Sequence, residues 1–228
     1  MNYYPIRLQA AFFLAAIDFS SKFEIANLVR GKVGNLLEVD PLLLPLPMGS
    51  PPEFPHIVIR NEGNGWSFQM APARFDLIVE QGPQPPHADL DQWTDQVSKT
   101  ALVILHGLQD RFGARVSRVG LVTSVVAEVE NAPQVLRLRY LGAAYGNGAH
   151  ESQLHILHKL EIEGLSLNRW VRLRALPADD NWPSRLVLEA DVNTAPEQPI
   201  QVTEAVANSF LSGASRLTEQ SLGDYLSE

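Results

Sequence analysis

The 228 residues carry a formal charge of −8 and contain no cysteine. No apolar run approaches the roughly 18–20 residues needed to cross a bilayer. The missing cysteines exclude disulfides, thiolate zinc sites and a cysteine nucleophile together, and the acidic balance argues against general nucleic-acid binding, which depends on neutralising phosphates with Lys and Arg.

Apolar residues make up 45% of the chain and charged residues 19%, the balance of a globular protein long enough to bury a sizeable core. Met1 is not followed by a basic segment, an apolar stretch and a small-residue cleavage site, so the expected location is cytoplasmic, with no membrane contact. The basic residues are mostly arginine, and residues 111–185 hold ten basic against seven acidic side chains. That tilt leaves specific, salt-sensitive nucleic-acid binding as a minor option.

In chain order, Ile6, Leu8, Ala10, Phe12, Leu14 and Ala16 alternate with Arg7, Gln9, Ala11, Phe13 and Ala15, which predicts a long strand. Ser21 and Glu24 have capping-box spacing, and Phe23, Ala26, Val29, Val33 and Leu36 recur at helical intervals. Six prolines from Pro41 to Pro55 then impose an extended connection whose leucines pack across the surface. Ile57 and Ile59, the turn Asn61–Gly65, and Trp66, Phe68 and Met70 predict a hairpin. A third strand follows with Phe75, Leu77 and Val79. Trp93, Val97, Ala101, Ile104, Leu105, Leu108 and Phe112 form one helical stripe over 89–112, stopped by Gly113.

A second series has the same order. Val119, Leu121, Thr123, Val125, Ala127 and Val129 alternate with Arg118, Gly120, Val122, Ser124, Val126 and Glu128. Residues 131–141 carry both helix and strand signals, and Asn131 with Pro133 favours a short helix. Three strands follow around Leu154–Ile162, Val171–Ala175 and Leu186–Val192, then a helix over 200–226. The expected fold is α+β, an antiparallel sheet with packed helices in two similar β-α-β-β-β-α halves, 1–113 and 114–228, within one compact unit. This order is similar to saddle and helix-grip folds, and fold alone does not assign function.

Four groups of residues can carry chemistry. His150, His155 and His158 cluster with Glu151. On a helix, two of them would share a face as metal ligands do, but the surrounding period of two sends His155 outward and His158 inward. A hydrogen-bonded core histidine at 158 is the favoured reading, with a metal-assisted hydrolase as the sharper alternative. Trp170, Arg172 and Arg174 share a strand face opposite Glu161, Glu163, Glu189 and Asp191. They form either a recognition surface or, more simply, a cross-strand charge ladder. Tyr145-Gly146-Asn147-Gly148 precedes a strand rather than a helix, so it reads as a turn, not a phosphate cradle. Asp179-Asp180 reads as a turn between Pro177 and Pro183. No GxSxG, H-E-x-x-H or P-loop spacing occurs.

Arg118-Val119-Gly120-Leu121, Leu167-Asn168-Arg169, Leu188-Glu189-Ala190-Asp191-Val192, Asn208-Ser209-Phe210 and Leu217-Thr218 together resemble a sporadically distributed family of uncharacterised bacterial proteins. Pro5 before an alternating strand is similar too, while Gln9 and Ala11 stand where that family leads one to expect acids. The resemblance implies a bacterial protein with a long strand opening each half and a terminal helix. It brings no activity or catalytic residue.

These readings make the chain a non-catalytic binding or assembly protein, a subunit of a bacterial multi-protein system, with a protein partner or self-association and no cofactor. Trp66, Trp170, Arg172 and Arg174 are the candidate binding residues. The alternative is a small-molecule or lipid pocket between sheet and helix lined by Phe13, Ile17, Val122 and Val126.

Overall fold

A computed structural model describes residues 3–45, 47, 49–81, 89–142, 152–180, 182–197 and 200–226. One nine-stranded sheet organises them, in the order β2-β3-β4-β5-β1-β6-β9-β8-β7, and every neighbouring pair is antiparallel. The strands are β1 (Tyr3–Ala16), β2 (Leu42–Leu43), β3 (Ile57–Asn61), β4 (Trp66–Ala71), β5 (Arg74–Glu80), β6 (Arg115–Glu128), β7 (Ser152–Ile162), β8 (Leu165–Leu176) and β9 (Arg185–Thr194). The helices are α1 (Lys22–Val33), α2 (Leu90–Phe112), α3 (Ala132–Leu136) and α4 (Glu204–Leu226). The α+β class expected from the sequence is the one observed.

The two 14-residue strands β1 and β6 pair at the centre of the sheet. Outward from β1 come β5, β4 and β3; outward from β6 come β9, β8 and β7. Each series therefore lays its opening strand at the centre, its last strand next, and its second strand furthest out, with β2 added at one rim.

Alternation along the strands decides what each face meets. Leu8, Ala10 and Phe12 on β1, Phe75 and Leu77 on β5, and Val119 and Leu121 on β6 are all buried in one core with residues of α1, α2 and α4. Phe12 and Phe75 stack there with centroids 4.6 Å apart and planes 9° from parallel. A second cluster joins Val125, Val171, Leu173 and Leu188 to Ala132 and Leu136 of α3 and to Leu222 and Leu226 of α4. All four helices thus lie on the same side of the sheet. The opposite side has no helix over it among the described residues.

Local signals explain the helix ends. Asp89 caps α2, its side chain accepting from the Asp91 amide at 2.9 Å. Gly113 ends that helix in the left-handed region at φ 61°, as its position after the apolar stripe predicts. Asn131 caps α3 by accepting from the Gln134 amide at 3.1 Å, and a π-helical turn over Arg137–Leu141 continues it, so 131–141 is helical. Ser184 completes this corner: its Oγ accepts from the Ala132 amide at 2.7 Å across 52 residues of sequence.

Helix α1 departs from the sequence reading in two respects. Ser21 stands at the N-cap without a side-chain capping bond, so the expected capping box does not form. Its buried residues are Ile25, Ala26 and Val29, whereas Phe23 is 60% exposed. Both follow from packing: α1 turns the Ile25 stripe onto α2 and β3, and Phe23 lies outside that arc.

Candidate functional site

On the open face, antiparallel pairing lines residues into rows across the strands. One row runs Glu80, Arg7, Ser124, Glu189, Arg172, His155. The next runs Ile78, Gln9, Val122, Asp191, Trp170, Leu157. A third runs Asp76, Ala11, Gly120, Asn193, Asn168, Lys159. The centre of the face is lined by small side chains at Ala11, Gly120 and Ser124, all buried between larger neighbours.

Several charges on this face are paired. Arg172 forms an ion pair with Glu189 and lies 3.7 Å from Asp191, with its guanidinium 6.0 Å from the Trp170 ring centre. Of the expected charge ladder the contacts hold only Arg172 with Glu189 and Asp191, while Glu163 accepts a hydrogen bond from the Ser209 hydroxyl of α4. Arg174 is exposed and has no ion-pair partner among the described residues. On the other half, Gln9 donates to Asp76 at 2.7 Å, and Arg74 binds the same carboxylate at 2.6 Å. Phe13 lies between Arg74 and Arg118, whose guanidiniums stand 4.8 and 4.6 Å from its ring centre. No local pattern in the sequence marks this cluster as a site. Its signal, Phe13 flanked by Arg74 and Arg118, is visible only once β5, β1 and β6 are known to be neighbours.

At one end of the face, Tyr4, Ile6, Gln81, Val126, Trp182 and Arg185 line a shallow pocket of about 220 Å³. A register shift between Pro5 and Arg7 opens β1 there. Burial raises the Tyr4 hydroxyl above its usual range, and the neighbouring Glu128 adds to the effect. Asp179 and Trp182 close a tight turn through mutual backbone bonds of 2.9 and 3.4 Å, and Asp179 lies 3.7 Å from Arg185, so the Asp179-Asp180 segment is a turn.

Two groups of residues expected at a site do not come together, and the histidines separate as the period of two around them leads one to expect. Trp66 is 4% exposed within the larger core, on the helix side of β4, so it does not join Trp170, Arg172 and Arg174. Phe13, Val122 and Val126 face away from the helices, while Ile17 packs against the core, so these four do not line a pocket between sheet and helix. His155 and His158 occupy opposite faces of β7. His155 is exposed, and His158 Nε2 lies 3.3 Å from the Tyr225 hydroxyl under α4. His150 and the Tyr145–Gly148 loop lie outside the described residues, and no group of metal-ligating side chains forms among the described ones.

The helix side also holds a buried arginine. Arg169 is 5% exposed, donates Nη1 to Gln220 at 3.3 Å, and has no partner for Nε among the described residues.

No family model matches the chain, and no curated protein does. Among solved structures it is similar to the rolling circle replication initiator protein from Geobacillus stearothermophilus, at 10% identity over 98% of this chain and 86% of that one, with a TM-score of 0.38. A likeness of that degree carries no argument about what this chain does. No helix among the described residues is long and apolar enough to cross a membrane.

Proposed function

We propose that the chain is a non-catalytic binding or assembly protein that docks a protein partner on the open face of its sheet. One observation supports this above the others: the described helices all cover one side, and the other side presents Trp170, Arg172 and Arg174 on β8 and, separately, the Phe13 cluster across β5, β1 and β6. A Trp side chain gives large contact area for little lost freedom, and an Arg guanidinium gives planar, multi-donor hydrogen bonding, which is why both are enriched among interface hot spots. Arg172 is already neutralised by Glu189, whereas Arg174 stands ready for a partner's carboxylate. The resemblance of the second half to a bacterial family is the ground for placing this role in a bacterial multi-protein system.

Affinity capture with the full chain tests the reading, using wild type beside a Trp170→Ala/Arg174→Glu variant. Both positions lie on the open face, so the variant keeps its fold, which circular dichroism checks. The expected result is a partner whose retention drops at least about tenfold in the variant, equivalent to roughly 1.4 kcal/mol. Equal retention by both chains, or retention of nothing by wild type, overturns it.

A further inference from the structure

We propose that two copies of this chain associate through antiparallel pairing of β7 with β7 of the second copy, about a two-fold axis at His158. This goes beyond the open-face reading and does not depend on it, because it uses the rim of the sheet.

The two rims differ. At one end β2 is only two residues long and is flanked by Pro41 and Pro45, which offer no N–H for pairing. At the other end β7 runs 11 residues, contains no proline, and pairs with β8 over Ser152–Ile162 without a register shift. No described strand pairs with the outer side of its Leu154–Ile162 stretch. Short length and proline protect an edge against pairing and only the β2 rim has them; β7 carries charges, Lys159 and Glu161, but both lie on its open-face row. The helix-facing row of β7 is also incompletely covered. Leu154, Leu160 and Ile162 are partly buried against the cores, and half-buried Ile156 belongs to neither core.

The strand's own residues select the second copy as the occupant. A two-fold axis normal to the sheet keeps faces matched, so the residue numbers in each facing pair sum to an even value. With the axis at His158, Ile156 faces Leu160 of the second copy and Leu154 faces its Ile162, each twice by symmetry. All four apolar residues of the helix-facing row then meet apolar partners. On the open face His155 meets Glu161, and Leu157, which is 38% exposed, is covered by the Lys159 stem. Moving the axis to Leu157 instead sets His155 against Lys159 and Ser152 against Ile162. The register at His158 is the one in which polarity and charge agree on both faces. An isologous interface of this kind makes each contact twice.

Light scattering after size exclusion, on the full chain at tens of micromolar, reads the assembly, and single cysteines read the register. The chain has no cysteine of its own, so a thiol introduced by His158→Cys can only link two copies. Facing residues in an antiparallel pair lie about 4.5–5.5 Å apart at Cα, within disulfide reach. The expected results are a dimer in wild type and rapid oxidative cross-linking of His158→Cys, much faster than of Leu157→Cys. His155→Glu, an exposed change that sets two acids face to face, should raise the dissociation constant at least tenfold, and adding Glu161→Lys should restore it. A monomeric wild type overturns the proposal. So does a dimer indifferent to His155→Glu, or one that fails to cross-link at 158. Failure here leaves the open-face experiment unaffected, since Trp170 and Arg174 lie on β8.

Discussion

Arg118 holds its guanidinium 4.6 Å from the centre of the Phe13 ring, reaching it from β6 while Arg74 approaches from β5 at 4.8 Å. One residue earlier, Phe12 points to the other side and stacks on Phe75 with no exposure at all. Two adjacent phenylalanines therefore meet opposite environments, one a guanidinium clasp at a partly solvated surface and the other a closed core.

Truncating the two rings should separate these environments. Phe12→Ala leaves a cavity in a packed interior and should cost about 3–5 kcal/mol. Phe13→Ala loses two cation–π contacts, each worth about 0.5–1 kcal/mol at such a site and about 1–2 kcal/mol together, with only a partial-burial loss added to them. Urea unfolding of both variants measures the difference, and a Phe13 loss equal to the Phe12 loss would show that the face assignment is wrong.

Two glycines should respond to alanine with opposite signs. Gly65 turns the β3–β4 hairpin at φ 76°, and a Cβ there would stand 2.0 Å from the Glu80 carbonyl oxygen, which is backbone and cannot yield cheaply. Gly65→Ala should destabilise by more than about 1 kcal/mol through strain and the lost Glu80–Gly65 pairing. Gly31 lies within α1 with nothing near the added methyl. Gly31→Ala should stabilise by about 0.5–1 kcal/mol. Thermal melts of the two single variants, moving in opposite directions from wild type, are the expected outcome.

His56 should contribute an acid-sensitive component of stability. Its Nδ1 is buried without a hydrogen-bond partner among the described residues, and its ring meets Phe19 edge-on at 5.5 Å. Burial first, and Lys22 second, hold its pKa below the ordinary value. The folded state therefore takes up this proton less readily than the unfolded chain. The associated stability is present above the unfolded value of about 6.5 and is lost as pH falls through it toward the lower folded value. Denaturant midpoints for wild type and His56→Gln at pH 7.5 and pH 5 test this. Wild type should lose more on acidification than the variant, and parallel losses would remove His56 from the account.

Much of the architecture can be read from residues in order. The alternation in Leu8–Leu14 and Val119–Ala127, the stripe from Val97 to Phe112, and the stop at Gly113 each report a local period or a local backbone requirement, and each element stands where that pattern places it. The histidines show the same logic, since a period of two around Ile156 already separates His155 from His158. Local pattern misleads where two candidate arcs overlap, as in α1, where Phe23 and Ile25 are equally eligible for the buried side.

The site is only partly legible in the same way. Trp170, Arg172 and Arg174 share a face by parity alone. Trp66 does not belong with them, because parity within β4 says which residues travel together, not which side the helices cover. Phe13, Arg74 and Arg118 lie far apart in the chain, and Ala132 and Ser184 are separated by 52 residues, so no local pattern announces their contact.

Strand and helix periods, and most helix ends, were thus settled by the sequence itself, because backbone dihedrals and one-sided burial leave their mark within a few residues. The order of the strands, the choice of covered face, and the identity of each charge's partner were decided by tertiary structure. They depend on which distant segments bury their apolar rows together, and that free energy is shared across the whole core rather than stored in any single stretch.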